Sequence, residues 1–156
     1  MTDLFIVSKS VRKRILRLLK EQYGISDFDY VLLRSGKRRF WVCPKEIKDV
    51  QLKDLRIHSV GFYFGELEDD GFRLSFDSTQ LFSGIIKKNV LEVDEEEAKK
   101  WLSGLDIKLT EEEAKRIDGH YVVIKHSSDM LGCGKVKNLR VLNHVPKDRR
   151  ERSDSP

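Results

Sequence analysis

Cysteine is scarce in this chain, long apolar runs are missing, and no glycine-rich nucleotide loop occurs. The two cysteines, Cys43 and Cys133, lie far apart in apolar, strand-like runs, the usual setting of free buried thiols, so no disulfide framework is expected. Neither Cys-x-x-Cys nor His-x-x-x-His spacing is found, which removes the ordinary zinc ligand sets, and no metal is expected. No stretch approaches the roughly eighteen apolar residues of a membrane helix, and no basic, apolar leader opens the chain. The expectation is a cytoplasmic protein without membrane contact. Catalysis has little to stand on. His58, His120, His126 and His144 sit at strands or strand edges, with no nucleophile elbow and no paired carboxylates at a recognisable spacing. The run His126-Ser-Ser-Asp holds the three residue types of a hydrolase triad, but neighbours on one turn cannot aim their side chains at each other, and it reads as a loop. Without a Gly-rich strand-to-helix turn no cofactor is expected, and the chain is read as a non-enzyme.

What the chain has is charge, unevenly spread. Its 156 residues suffice for a core and fit one domain or a small pair. Charged residues make up 36% and the mean hydropathy is −0.48, yet Leu, Ile, Val and Phe are plentiful enough for a folded protein. Residues 1–60 hold 14 Lys and Arg against 7 Asp and Glu, residues 61–118 hold 8 against 15, and residues 119–156 hold 8 against 4. Two basic ends around an acidic middle can fold onto one side and concentrate positive surface opposite a phosphate backbone. The competing reading is that the charges only solvate the surface.

Periodicity supplies the organisation. Val11, Ile15, Leu18, Leu19 and Gln22 trace the stripe of a helix running from about Ser10, an N-cap, to Gly24. Tyr30-Val-Leu-Leu and Arg39-Phe-Trp-Val-Cys flank Arg34-Ser-Gly-Lys-Arg, a hairpin with a cationic tip, and Pro44 stops the second strand before a short helix or turn around 45–50. Strands follow over 57–64 and 72–76 around an Asp-Gly turn. Two look-alike segments, Val93-Asp-Glu-Glu-Glu-Ala-Lys-Lys-Trp and Leu109-Thr-Glu-Glu-Glu-Ala-Lys-Arg-Ile, each open with a cap and acids and close with bases, as the helix dipole favours; Thr110 and Glu113 have capping-box spacing.

The last third is the most informative. Strands from Gly119 and Met130 lead to Gly132-Cys-Gly134-Lys135, expected as a Gly-x-Gly turn whose backbone approaches a phosphate, and then to Lys137 and Arg140 at nearly alternate positions, the spacing that puts cations on one face of a strand. Trp41, beside Arg38 and Arg39, is placed to stack on a base.

Tyr121-Val-Val-Ile, Leu131-Gly-Cys-Gly-Lys-Val and Leu142-Asn-His-Val-Pro-Lys resemble the C-terminal PUA-like RNA-binding domain of RsmF/Sun-type RNA cytosine-C5 methyltransferases. Upstream, Gly61-Phe-Tyr-Phe-Gly-Glu-Leu and Phe72-Arg-Leu-Ser-Phe-Asp resemble its opening strands, so the likeness spans roughly residues 57–150. More distantly, Phe40-Trp-Val-Cys-Pro-Lys-Glu-Ile, Phe64-Gly-Glu and Phe72-Arg-Leu are similar to PUA-containing ribosome-biogenesis factors of the Nip type. The resemblance implies RNA binding through Lys135, Asn143, His144 and Lys147, without the cofactor domain or cysteine motifs of the enzymes. The expected fold is α+β: a small basic N-terminal α/β domain over 1–55, a PUA-like mixed β-barrel with short helices over 56–148, and a disordered tail over 149–156. The expected interface is Arg38, Arg39, Trp41, Gly132, Gly134, Lys135, Lys137, Arg140, Asn143, His144 and Lys147. The expected partner is structured RNA, rRNA or tRNA, bound by a monomer in RNA modification or ribosome biogenesis. The alternative is an accessory subunit docking on an RNA methyltransferase or ribosomal protein.

Overall fold

Ser8, not Ser10, caps the first helix: its hydroxyl accepts from Val11 N, and the helix α1 (Lys9–Tyr23) closes at Gly24 in the left-handed conformation. The computed structural model describes residues 4–45 and 61–150. Around α1 the described chain runs β1 (Phe5–Ile6), β2 (Val31–Ser35), β3 (Arg39–Cys43), β4 (Phe62–Glu68), β5 (Gly71–Leu74), α2 (Phe76–Leu81), β6 (Val90–Glu92), α3 (Glu95–Leu102), β7 (Ile107–Lys108), α4 (Glu111–Arg116), β8 (Tyr121–His126), β9 (Asp129–Lys137) and β10 (Arg140–Leu142), with a 3₁₀ turn at Lys147–Arg149. The helix or turn expected at 45–50 lies almost wholly outside the described residues.

Strands β1 to β5 form one antiparallel sheet in chain order. Its inner face, Leu32, Phe40, Val42, Phe64, Phe72 and Leu74, packs on Ile15, Leu19 and Tyr23 of α1. Strand β5 is an edge, and α1 covers it chemically: Gln22 accepts from Phe72 N at 2.8 Å and donates to Phe72 O at 3.0 Å. The proposed boundary near 55 lies outside the described residues, while β4 and β5, expected to open the C-terminal domain, hydrogen-bond onto the N-terminal strands because the β3–β4 register puts Trp41 opposite Tyr63 and Arg39 opposite Glu66.

The second sheet is mixed, in the order β6-β8-β9-β10-β7, with β6 and β8 parallel. Among the described residues β6 and β7 are its outer strands, and no hydrogen-bonded pairing between them closes the expected barrel. Strand β8 explains its own unbroken apolar run. Tyr121 and Val123 face the cluster under α1, whereas Val122 and Ile124 face a second cluster with Trp101, Leu109 and Val141. A strand buried on both faces cannot alternate apolar with polar. Helices α3 and α4 carry full capping boxes, Asp94 with Glu97 and Thr110 with Glu113, the second as its spacing requires. Cys43 and Cys133 are free and buried; Cys133 Sγ lies 3.3 Å from the Tyr23 hydroxyl, and burial pushes its thiol up to about 11. No helix among the described residues is long and apolar enough to cross a membrane.

Candidate nucleic-acid interface

The second sheet ends in a tight hairpin. Asn138 and Leu139 take φ of 51° and 59°, the two left-handed residues of a two-residue turn, and Lys137 and Arg140 face each other across it. Asn suits that conformation; a leucine there costs on the order of 1–2 kcal/mol, and this one is 46% exposed. Arg140 is also in register with Lys108 of β7. Three cations, Lys108, Arg140 and Lys137, therefore stand side by side on three adjacent strands, about 10 Å end to end at the usual strand separation. All three are exposed, and none enters an ion pair among the described residues. Like charges directly opposite one another weaken a sheet. The row is an arrangement that suits a bound polyanion rather than the isolated fold. Lys108 was missed from sequence because β7 is a two-residue strand wedged between two helices, too short for a periodic signal.

The Gly-x-Gly motif is not a turn. Gly132 and Gly134 lie inside β9 and are buried. A Cβ on Gly134 would sit 2.5 Å from Leu142 O and 2.9 Å from the Trp101 ring; one on Gly132, whose φ is +94°, would sit 2.9 Å from the Phe76 ring. The glycines admit neighbouring chain and two aromatic rings, and their placement inside the sheet leaves no opening for a phosphate. Lys135, next in the strand, is two-thirds covered and holds Asp70 Oδ2 at 2.7 Å, an ion pair that raises the lysine's pKa.

Asp70 belongs to a polar cluster at the seam of the two sheets. The Tyr121 hydroxyl reaches both Glu68 and Asp70, and Arg73 donates to Glu66 at 2.7 Å and Glu68 at 3.2 Å. One phenolic proton serves two carboxylates, so burial and both acids hold the phenol protonated far above its ordinary range. Burial pushes the carboxyls of Glu68 and Asp70 up, but Tyr121 with Arg73 at the first, and Lys135 with Tyr121 at the second, outweigh it and leave both below their ordinary values. The cations of this seam are already answered by acids.

The tail motif divides. Asn143 Nδ2 donates to Trp101 O at 2.7 Å and Leu105 O at 2.9 Å, while its Oδ1 accepts from Val145 N at 2.9 Å. Its amide is fully used in bracing the turn after α3. His144 is half-buried, its Nε2 without a hydrogen-bond partner among the described residues; burial and then the Arg73 guanidinium hold it below the ordinary histidine value. Lys147 alone of the three is exposed. Arg149 and Arg150, assigned by composition to a structureless tail, are tied down: Arg149 pairs with Asp77 at 3.1 Å and Arg150 donates to Val145 O at 3.0 Å. Residues 151–156 lie outside the described ones.

At the N-terminal hairpin, Arg34 wraps its own turn by donating to Gly36 O and Lys37 O, Arg38 stands 3.5 Å from Asp69, and Arg39 faces Glu66. Trp41 leans on Tyr63 with ring centroids 5.4 Å apart, and its Nε1 is buried without a partner among the described residues. The structure therefore brings Lys137 and Arg140 together with Lys108, and leaves Arg38, Arg39, Trp41 and Lys147 elsewhere.

From β6 onward the chain is a small mixed-sheet module with two capped helices and a cationic edge. Residues 88–151 match the family model described as the methyltransferase RsmF PUA domain, and this part of the chain is similar to that domain. The family match starts at 88, while the relatives below align over 120 and 131 residues, long enough to take in β4 and β5 as well. Among curated relatives, the ribosomal RNA small subunit methyltransferase F of Shewanella oneidensis is 25% identical over 120 residues, covering 77% of this chain and 24% of the relative. That of Psychromonas ingrahamii is 26% identical over 131 residues, covering 81% and 26%; that of Vibrio cholerae is 25% identical over 108 residues, covering 69% and 22%. The chain spans about a quarter of the length of these relatives.

Proposed function

We propose that the protein binds structured RNA, without catalysing a reaction on it, in the cytoplasm and in the service of rRNA modification. The carrying observation is the row Lys108–Arg140–Lys137, three unanswered cations in consecutive register, on a domain whose relatives are named for ribosomal RNA methylation. Each cation releases counterions when it meets a phosphate, so binding should weaken steeply with salt. The exposed Leu139 between Lys137 and Arg140 offers an apolar contact to a base or sugar. A tRNA ligand and a role in ribosome assembly follow the same chemistry. The test is a titration of the purified chain with fragments of small-subunit rRNA and with tRNA: salt-dependent binding supports the reading, and a flat titration at low salt removes it. A parallel assay for methyl transfer from S-adenosylmethionine to either RNA should read blank; transfer by the chain alone overturns the non-catalytic part.

A second reading, an accessory subunit docking on a methyltransferase or ribosomal protein, is favoured by the edge strand β1, where Phe5 is 63% and Ile6 49% exposed. Phe5→Ser with Ile6→Ser would abolish capture of such a partner while leaving RNA affinity unchanged.

A further inference from the structure

The largest set of unanswered cations is on helix α1. It carries Lys9, Arg12, Lys13, Arg14, Arg17 and Lys20 against a single acid, Glu21. At about 100° per residue, Lys9, Lys13, Arg17 and Lys20 fall within about 80° of one another and run roughly 16 Å along the axis. All four are exposed, and none enters an ion pair among the described residues. Arg12 is used internally, donating to Tyr30 O at 2.7 Å and lying over Phe28. Beyond the helix end, Lys87 continues the stripe: its backbone N–H donates to Tyr23 O, and its Cβ would be 3.2 Å from one built on Gly24.

This arrangement works against the helix twice. Helices α2, α3 and α4 each place acids in their first turn, where the dipole is positive, whereas α1 has none and puts Lys9 and Arg12 there instead. Along the helix, Lys9 precedes Lys13 and Lys13 precedes Arg17 at the i,i+4 spacing, like charges repelling; the same spacing in α3 pairs Glu95 with Lys99 and Glu96 with Lys100. The chain thus has the ordinary solution available in one helix and the opposite in another. Ion pairing among the described residues does not account for it, and a bound polyanion does.

We propose that the stripe Lys9, Lys13, Arg17 and Lys20 is a second phosphate-binding surface for RNA; this rests on the RNA-binding reading above. A membrane is a poorer occupant, because the apolar side of α1, Ile15, Leu19 and Tyr23, is fully buried in the core and cannot enter a bilayer. An acidic protein is poorer too: no large apolar side chain of α1 is exposed to anchor an interface.

The test uses the full chain and a labelled RNA stem-loop, with binding followed between about 50 and 200 mM salt. The variant Lys9→Gln, Lys13→Gln, Arg17→Gln, Lys20→Gln, in which Gln keeps the helix propensity, should lower the salt slope by about 3 and weaken binding at least tenfold at the low end. Replacing Lys9, Lys13 and Lys20 by Arg should leave both unchanged. Arg17→Gln alone should lower the slope by about 1, which decides the matter if the fourfold variant does not fold. Unchanged binding by the α1 variants beside a loss in Lys108→Gln, Lys137→Gln, Arg140→Gln overturns this surface and leaves the RNA reading standing. No salt-dependent binding by the unaltered chain overturns both. Binding to phosphatidylserine vesicles that the α1 variants lose, with RNA binding intact, assigns the stripe to a membrane and also overturns it.

Discussion

Strand β9 is two different places within nine residues. Its inner part, Gly132 to Lys135, is packed under Phe76 and Trp101 and closed by the Asp70 ion pair; its outer end, Lys137, turns through Asn138 and Leu139 into Arg140 with no acid opposite. In sequence these are one motif, glycines followed by alternating lysines. In the fold the glycines serve packing, and of these lysines Lys137 alone enters no ion pair among the described residues. A basic residue counts toward an interface by what stands across from it, not by its spacing from a glycine.

The sharpest way to break this comparison is Gly134→Val. Overpacking against Leu142 O and the Trp101 ring should cost about 3 kcal/mol in urea unfolding, while the molecules that remain folded bind RNA as before; a stable variant with lost binding would restore the glycines to the interface. Asn143→Ala comes next, at about 2 kcal/mol, since Trp101 O and Leu105 O lose their donor and Val145 N its acceptor; again RNA affinity per folded molecule should hold.

The seam responds to acid. Glu68 and Asp70 titrate lower folded than unfolded, so their contribution to stability is present above their ordinary values of 4.5 and 3.8 and is lost as pH falls below them toward the folded values. Tyr121→Phe removes the shared donor, both carboxyls rise, and the acid unfolding transition followed by tryptophan fluorescence should move to higher pH. A transition that stays put would mean the hydroxyl does not hold these acids. The smallest effect separates neighbours. Lys137→Ala should lower the salt slope of RNA binding by about 1, whereas Lys135→Ala, already answered by Asp70, should leave it nearly unchanged. The reverse result would place the contact in the strand's inner part.

Local features were legible in the sequence. Helix α1 follows its apolar stripe, Thr110 and Glu113 satisfy the capping spacing, and the cationic hairpin between β2 and β3 sits where its flanking apolar runs put it. The candidate site was half legible. Lys137 and Arg140 lie within one hairpin, but Lys108 joins them through a strand pairing more than thirty residues distant, and β7 carries no period of its own. Glycine misled because close packing and a tight turn ask for the same residue. The neutralisation of Lys135 by Asp70, and the register that sets Arg39 opposite Glu66, come from strands remote in sequence, and charge counting along the chain cannot see them.

Strand β8, buried on both faces, has a consequence for cutting the protein. Tyr121, Val123, Met130 and Cys133 are covered by α1 and the first sheet, so a fragment beginning at residue 88 would present them to water as an adhesive patch. Such a fragment should come out of cells in inclusion bodies or need a detergent, however complete its own sheet. The segment that a family model recognises should therefore be shorter than the segment that can be expressed alone.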